Sequence, residues 1–170
     1  EEIDPGFVHF DADDLPSHQT RDGLTARLIA GKAYGATSPV PVRSPMFYVH
    51  WTMAAGAQGE LPAEYPERAA YVARGSVEVD GRVFETGQML VFAPGQSVRF
   101  TARTDALVML LGGEPIGQRF IEWNFVSSSK ERIEQAKADW RAGRMKLPDA
   151  DDQEFIPLPG DPPPEPNPMS

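Results

Sequence analysis

The sequence predicts an all-β fold, a barrel or sandwich of short antiparallel strands, and three observations carry that prediction. Between Leu61 and Gly95, three glycines (Gly75, Gly81 and Gly87) punctuate short segments rich in Val, Tyr and Phe, and Pro94-Gly95 closes the run. Asp80-Gly81 sits between two such segments. It is a strong hairpin signal, because a type I′ turn needs positive φ at both central residues. The connections are also too short to be the crossover helices that a parallel sheet requires.

Taken in order, Glu1 to Pro16 is acidic, with Phe7, Phe10 and Leu15 placed to pin it to a surface. Asp11, Asp13 and Asp14 begin like a calcium loop, but the glycine and later glutamate of such a loop are missing, so they read as a solvated acidic turn. Leu24 to Ala30 reads as a strand ended by Gly31, and Gly35 to Pro45 as a loop. Met46 to Met53 is rich in aromatic and β-branched residues, a strand signal. Ala54 to Gly59 reads as a turn of small residues. Ala69–Ala73, Ser76–Val79, Arg82–Phe84, Gln88–Phe92, Ser97–Ala102 and Ala106–Leu111 continue as strands, stopped by Gly112-Gly113. Phe120 to Phe125 reads as one more strand.

The chain then changes character. Ser128-Ser-Lys-Glu131 has the form of a capping box. It predicts a helix over Ser129–Ala142, with Gly143 as its left-handed stop. Ile133, Ala136 and Trp140 fall on one face, which must meet an apolar surface. Seven of the last fourteen residues are proline, so the tail is expected to be extended or disordered. The expected organisation is an N-terminal arm packed on the barrel over residues 1–20, a barrel over 21–126, a helix over 127–143 and a tail over 144–170.

Composition narrows the function. The 170 residues suit one domain with appendages, and a hydrophobic content of 41% supports a real core. Lys and Arg number 16 against 25 Asp and Glu, a net charge of -9 that repels phosphate backbones and argues against nucleic acid. The basic residues Lys130, Arg132, Lys137, Arg141, Arg144 and Lys146 are interleaved with acids and read as a solvated helix face. The absence of cysteine excludes disulfides, thiol nucleophiles and thiolate metal sites, and suits a cytoplasmic protein. No window approaches the ~18 apolar residues of a membrane span. The chain opens Glu1-Glu2-Ile3, without Met, as a processed protein or a piece of a longer one would.

The glycine frame has the spacing of a cupin, a small barrel that often holds a divalent metal. Metal-binding cupins carry G-x5-H-x-H-x3,4-E-x6-G and then G-x5-P-x-G-x2-H-x3-N, whose imidazoles and carboxylate suit iron, manganese, nickel or copper. Setting Gly75 at the end of the first motif places Pro62 and Glu64 at the histidine positions and Arg68 at the glutamate. Setting Gly87 and Gly95 in the second places Val98 at the last histidine, with Pro94 one place late. A proline, a guanidinium and a valine are not ligands; Glu64 alone has a donor. The remaining histidines, His9, His18 and His50, are not paired at ligand spacing. His50 shares a strand face with Tyr48 and Thr52 and reads as a packing or hydrogen-bonding residue. Glu64, Glu67 and Arg68 read as ion pairs, with a small organic anion bound near Arg68 as the alternative. No catalytic residue is assigned: Ser127 to Ser129 are explained by the helix cap, and no G-x-S-x-G or phosphate loop occurs. The ligand-binding candidates are Glu64, Arg68 and His50.

Several separated motifs, in order, resemble the C-terminal half of a pirin: S-P-M-F-Y-V-H-W-T-M-A-A-G-A, L-P-A-E-Y-P-E-R-A-A-Y-V-A-R-G, G-Q-M-L-V-F, L-L-G-G-E-P-I-G, W-N-F-V-S-S-S-K-E-R-I and E-F-I-P-L-P. Pirins are bicupins. The resemblance implies that iron or another divalent metal belongs to an N-terminal barrel, and that this chain holds no cofactor. It implies quercetin 2,3-dioxygenase-like activity only when that barrel completes the protein, and no enzyme in this chain alone. It also implies a scaffold role, and a partner that is either an N-terminal cupin domain or a second copy in a homodimer.

Overall fold

The computed structural model describes residues 6–145 and 156–162. They fall into two compact units, one of Phe10–Pro115 and one of the described parts of 1–9 and 116–170.

In the first unit a single 3₁₀ turn, Ala12–Asp14, uses the acidic cluster: the Asp11 N–H donates to Asp14 Oδ2 at 2.9 Å. Eleven strands follow: β1 (Ser17–Gln19), β2 (Leu24–Ala33), β3 (Ala36–Thr37), β4 (Met46–Met53), β5 (Gln58–Leu61), β6 (Glu67–Arg74), β7 (Ser76–Val79), β8 (Arg82–Glu85), β9 (Met89–Phe92), β10 (Val98–Ala102) and β11 (Ala106–Gly113). They form one sheet of order β1-β2-β4-β11-β6-β9, with β3 on β2, and a second of order β5-β10-β7-β8. Every pairing is antiparallel.

Alternation along the strands builds the core. On β4, Phe47, Val49, Trp51 and Met53 are buried while Tyr48, His50 and Thr52 point the other way. They meet Val72 of β6 and Val108 and Leu110 of β11, together with Leu61, Val77 and Phe100 of the second sheet. Trp51 meets Phe100 edge-on, with ring centroids 5.4 Å apart. Asp80 and Gly81 take φ of 49° and 74°, the expected I′ geometry between β7 and β8.

Two glycine readings need correction. Gly31 does not end β2, which runs on to Ala33. Its φ is 78°, and a Cβ there would lie 1.8 Å from the Met46 carbonyl oxygen, so it marks a close backbone approach to β4. Gly112 and Gly113 likewise lie inside β11; a Cβ on Gly112 would lie 2.2 Å from the Glu67 carbonyl. Glycine is the residue both of stops and of tight approaches. Two further differences come from pairing. The expected arm contributes β1, an edge strand of the large sheet, and the expected turn at 54–59 ends in β5, an edge strand of the small one.

In the second unit the expected single strand is a hairpin, β12 (Phe120–Glu122) and β13 (Phe125–Ser127), with Trp123 at φ 53° in its turn. The helix α1 spans Lys130–Arg141. Its N-cap is Ser129, not Ser128: Ser129 Oγ accepts from the Arg132 N–H at 3.3 Å and donates to Glu131 Oε2 at 2.7 Å. Gly143 takes φ 62°, the expected left-handed stop. Ile133 is buried, and Trp140 meets Trp123 and donates its indole N–H to the Ile156 carbonyl at 2.9 Å. The basic residues expected as a solvated helix face include three paired with acids: Lys137 with Glu122 and Glu134, Arg141 with Asp161, and Arg144, just past the helix, with Asp139. Phe7 is 74% exposed and pins nothing. Most of the Pro-rich tail (residues 146–155 and 163–170) lies outside the described residues. Among the described residues no helix is long and apolar enough to cross a membrane.

Candidate functional site

The positions that carry metal ligands in the cupin motif have a different chemistry here. Arg68 alternates with Glu67 on β6, so it faces inward while Glu67 faces out. It is 2% exposed. Its Nη1 donates to the Pro62 carbonyl at 3.0 Å and its Nη2 to the Ala93 carbonyl at 2.7 Å, while Nε is buried without a partner. The expected ion pair with Glu64 or Glu67 is therefore replaced by bonds to backbone carbonyls. The guanidinium ties the segment after β5 to the segment after β9. Among the described residues no group of three or more His, Cys, Asp or Glu is placed to hold a metal ion. A metal does not fit this donor set: its glutamate position holds a buried cation, and two histidine positions hold Pro62 and Val98.

The structure separates the three ligand-binding candidates. Arg68 is inside the barrel. Glu64 lines a narrow crevice with Tyr34, Phe47, Leu61, Pro62 and Tyr65. His50 lies on the opposite, outer face of the large sheet, where its Nε2 is 3.5 Å from Thr52 Oγ1. Desolvation, and then the nearby Arg27 charge, push the His50 pKa below the ordinary imidazole range.

The register shows what surrounds His50. One cross-strand row on the outer face runs Met89, Tyr71, Met109, His50, Arg27, and the next runs Val91, Ala69, Leu111, Tyr48, Ala30. Met89 and Val91 are 56% and 79% exposed, and Tyr71 is partly exposed. Side chains on one strand face next to each other in this way form a continuous surface. It is apolar over most of its width, which sequence reading of the separate strands did not reveal.

A site the sequence did not suggest lies at the open side of the barrel. A cavity of about 500 Å³ sits between the edge of the large sheet and β5. Leu24, Ala26 and Leu28 of β2, Val49 and Trp51 of β4, and Gln58, Gly59 and Glu60 of β5 line it, with Ser17, His18 and Tyr34. Two bonds tie β5 across this seam. Asp22 Oδ2 accepts from the Gln58 N–H at 3.0 Å, and the Tyr34 hydroxyl donates to the Glu60 carbonyl at 3.1 Å. Asp22 also accepts from the Thr20 hydroxyl; that bond first, and then the Gln58 N–H, hold its carboxyl below the usual range. Burial, and then the Glu64 charge, push the Tyr34 phenol well above its ordinary value. Trp51 is 1% exposed, and its indole Nε1 is buried beside the Tyr34 hydroxyl. A sequence signal existed in retrospect: Trp51 alternates inward with Val49 and Met53, and Gly59 supplies the bare backbone its ring packs against.

Two antiparallel sheets around one core, with the glycine frame linking them, define a cupin barrel. The particular family follows from comparison: residues 48–146 match the pirin C-terminal cupin domain, and the chain belongs to the pirin family. It is 66% identical over 160 residues to a pirin-like protein of Caulobacter vibrioides, covering 94% of this chain and 55% of that protein. A pirin-like protein of Solanum lycopersicum is 26% identical, with coverage of 84% and 51%. Among solved structures, a quercetin 2,3-dioxygenase from Acinetobacter baumannii superposes with a TM-score of 0.78 at 25% identity, covering 94% of this chain and 54% of that one. The chain spans about half the length of the curated relatives it matches.

Proposed function

We propose that this chain is a metal-free cupin half that serves as scaffold and interaction surface in a two-barrel pirin. The observation that carries this reading is Arg68. A buried guanidinium stands at the metal's glutamate position and ties the Pro62 and Ala93 carbonyls, so a cation of the protein's own bridges two segments next to the motif's ligand positions. The apolar outer rows through Tyr71, Met89 and Val91 supply the interaction face, because contiguous apolar surface of this kind marks protein contacts. Its occupant in a longer protein is an N-terminal cupin barrel, and in the isolated chain a second copy. Relatives about twice as long support that partner.

Metal analysis of the purified chain, after incubation with iron, copper, nickel or manganese and desalting, tests the first part. Sub-stoichiometric metal is expected; one tightly held ion per chain overturns it. Light scattering tests the second. A concentration-dependent homodimer is expected, with Val91→Arg weakening it at least tenfold. A monomer at high concentration removes the self-association reading.

A second reading is oxidoreductase activity of the quercetin 2,3-dioxygenase type, residing in a metal barrel outside this chain. The superposition on the Acinetobacter baumannii enzyme favours it. Joining this chain to an H-x-H-bearing cupin and measuring quercetin-dependent oxygen uptake tests it: activity only in the joined protein supports the reading, and its absence there rejects it.

A further inference from the structure

We infer that the seam cavity between β2 and β5 is a binding site for a small molecule whose buried part is a bare hydrocarbon skeleton, with any polar end left at the mouth. The inference is independent of the scaffold reading and of any metal, since neither Arg68 nor the outer sheet face lines this space.

Room and walls come first. A volume of about 500 Å³ lies within the range of small-molecule sites, which run from about 300 to 1,000 Å³. Leu24 and Leu28 of β2 and Val49 and Trp51 of β4 give it apolar walls. Ala26, Ala33 and Ala36 line it where larger side chains would fill it. The Asp22–Gln58 and Tyr34–Glu60 bonds clamp β5 across the seam, so the two sheets are held at this spacing.

The polar groups of the lining are committed to one another or to residues outside it. Thr20 Oγ1 accepts from the Leu24 N–H at 3.1 Å and donates to the Asp22 carboxylate. The Tyr34 hydroxyl donates to the Glu60 carbonyl and lies beside the Trp51 indole nitrogen. The Glu60 carboxylate accepts from Arg99 Nε at 3.3 Å, so a cation outside the cavity answers its charge. The other polar residues of the lining, Ser17, His18 and Gln58, are exposed, and His18 is opposite Ala26 in the β1–β2 register. These exposed residues suit a polar end held in water. A charge or hydrogen-bonding group carried further in would lose its water without gaining a partner from Thr20, Tyr34 or Glu60, which costs affinity. A hydrocarbon has no such loss and removes the aliphatic and indole walls from water.

The test uses N-phenyl-1-naphthylamine, an uncharged dye that brightens in apolar surroundings, and its displacement by naphthalene, naphthalene-2-sulfonate and 2-naphthyltrimethylammonium. Saturable binding of one dye per chain is expected. Naphthalene should displace it, and neither charged analogue should bind more tightly than naphthalene. Ala26→Phe, which fills the cavity, should weaken dye binding at least tenfold, whereas Val91→Arg, on the outer sheet face, should leave it unchanged. In the ¹³C-methyl-labelled wild-type chain, naphthalene should shift the methyl resonances of Leu24, Leu28 and Val49, a reading that needs no variant to fold. Absence of saturable binding, a charged analogue that binds more tightly than naphthalene, retention of binding in a folded Ala26→Phe, or stationary methyl resonances at those three residues overturns the inference.

Discussion

The barrel interior is finished in two different ways at two places. Around Arg68 the interior is sealed: a long side chain enters from β6, its stem packs, and its guanidinium binds the carbonyls of Pro62 and Ala93. Around Trp51 small residues leave a cavity beside it, and the Asp22–Gln58 and Tyr34–Glu60 hydrogen bonds bridge the seam. Both places bury a side-chain nitrogen away from solvent, Arg68 Nε at one and Trp51 Nε1 at the other. The comparison teaches that what fills the motif's ligand positions and where the barrel leaves a ligand-sized space are separate properties. A buried cation stands at a position where the motif frames a ligand, and the room lies elsewhere.

Breaking the sealed side should have the largest effect. Arg68→Ala removes two hydrogen bonds and a buried stem, and is expected to lower stability by about 3 kcal/mol, measured by urea denaturation. Arg68→Met keeps most of the volume and removes the buried charge, so its cost should be clearly smaller. Equal losses in the two variants would mean that the guanidinium bonds, rather than packing, hold that side. On the open side, Gly59→Ala drives a methyl into the Trp51 ring and should cost about 1–3 kcal/mol by overpacking. A neutral result would show that β5 yields freely, against the clamped seam described above.

Tyr34→Phe deletes the hydroxyl that donates to the Glu60 carbonyl and lies beside the Trp51 indole. It should cost about 1 kcal/mol and increase hydrogen exchange along β5. The smallest effect is that of Asp22. Its folded-state pKa is depressed, so the stability it contributes is present above the ordinary aspartate range near pH 4 and is lost as pH falls through the depressed value. Asp22→Asn should flatten that acid limb of the stability profile. An unchanged acid limb would assign it to other carboxylates whose pKa is also lowered, such as Asp139 and Asp161.

Much of the fold was legible because alternation and turn chemistry are local. Met46–Met53 and Ser76–Val79 have the predicted bounds, and Asp80-Gly81 makes the turn its residues demand. The helix was legible from its cap and its glycine stop, displaced by one residue at the start because two adjacent serines offer the same hydroxyl. Gly31 and Gly112 were misread because a terminator and a close approach use the same residue, and only the neighbouring strand distinguishes them. At the candidate site, the inward direction of Arg68 follows from alternation, but its partners do not. The sequence neighbours Glu64 and Glu67 suggested an ion pair, whereas the carbonyl of Ala93 is brought to Arg68 by the pairing of β6 with β9.

The sequence alone determined the fold class, the family and the fact that metal-ligand positions carry Pro62, Glu64, Arg68 and Val98, since these depend on residue identity and spacing along one chain. Tertiary structure decided what those residues do. It placed His50 on an outer apolar face, set Arg68 between two carbonyls, and opened a cavity at the seam where β5 meets the edge of the large sheet. The physical reason is that a cavity and a cross-strand face are properties of residues far apart in the chain. Their positions are set by sheet order and register, which local periodicity does not specify.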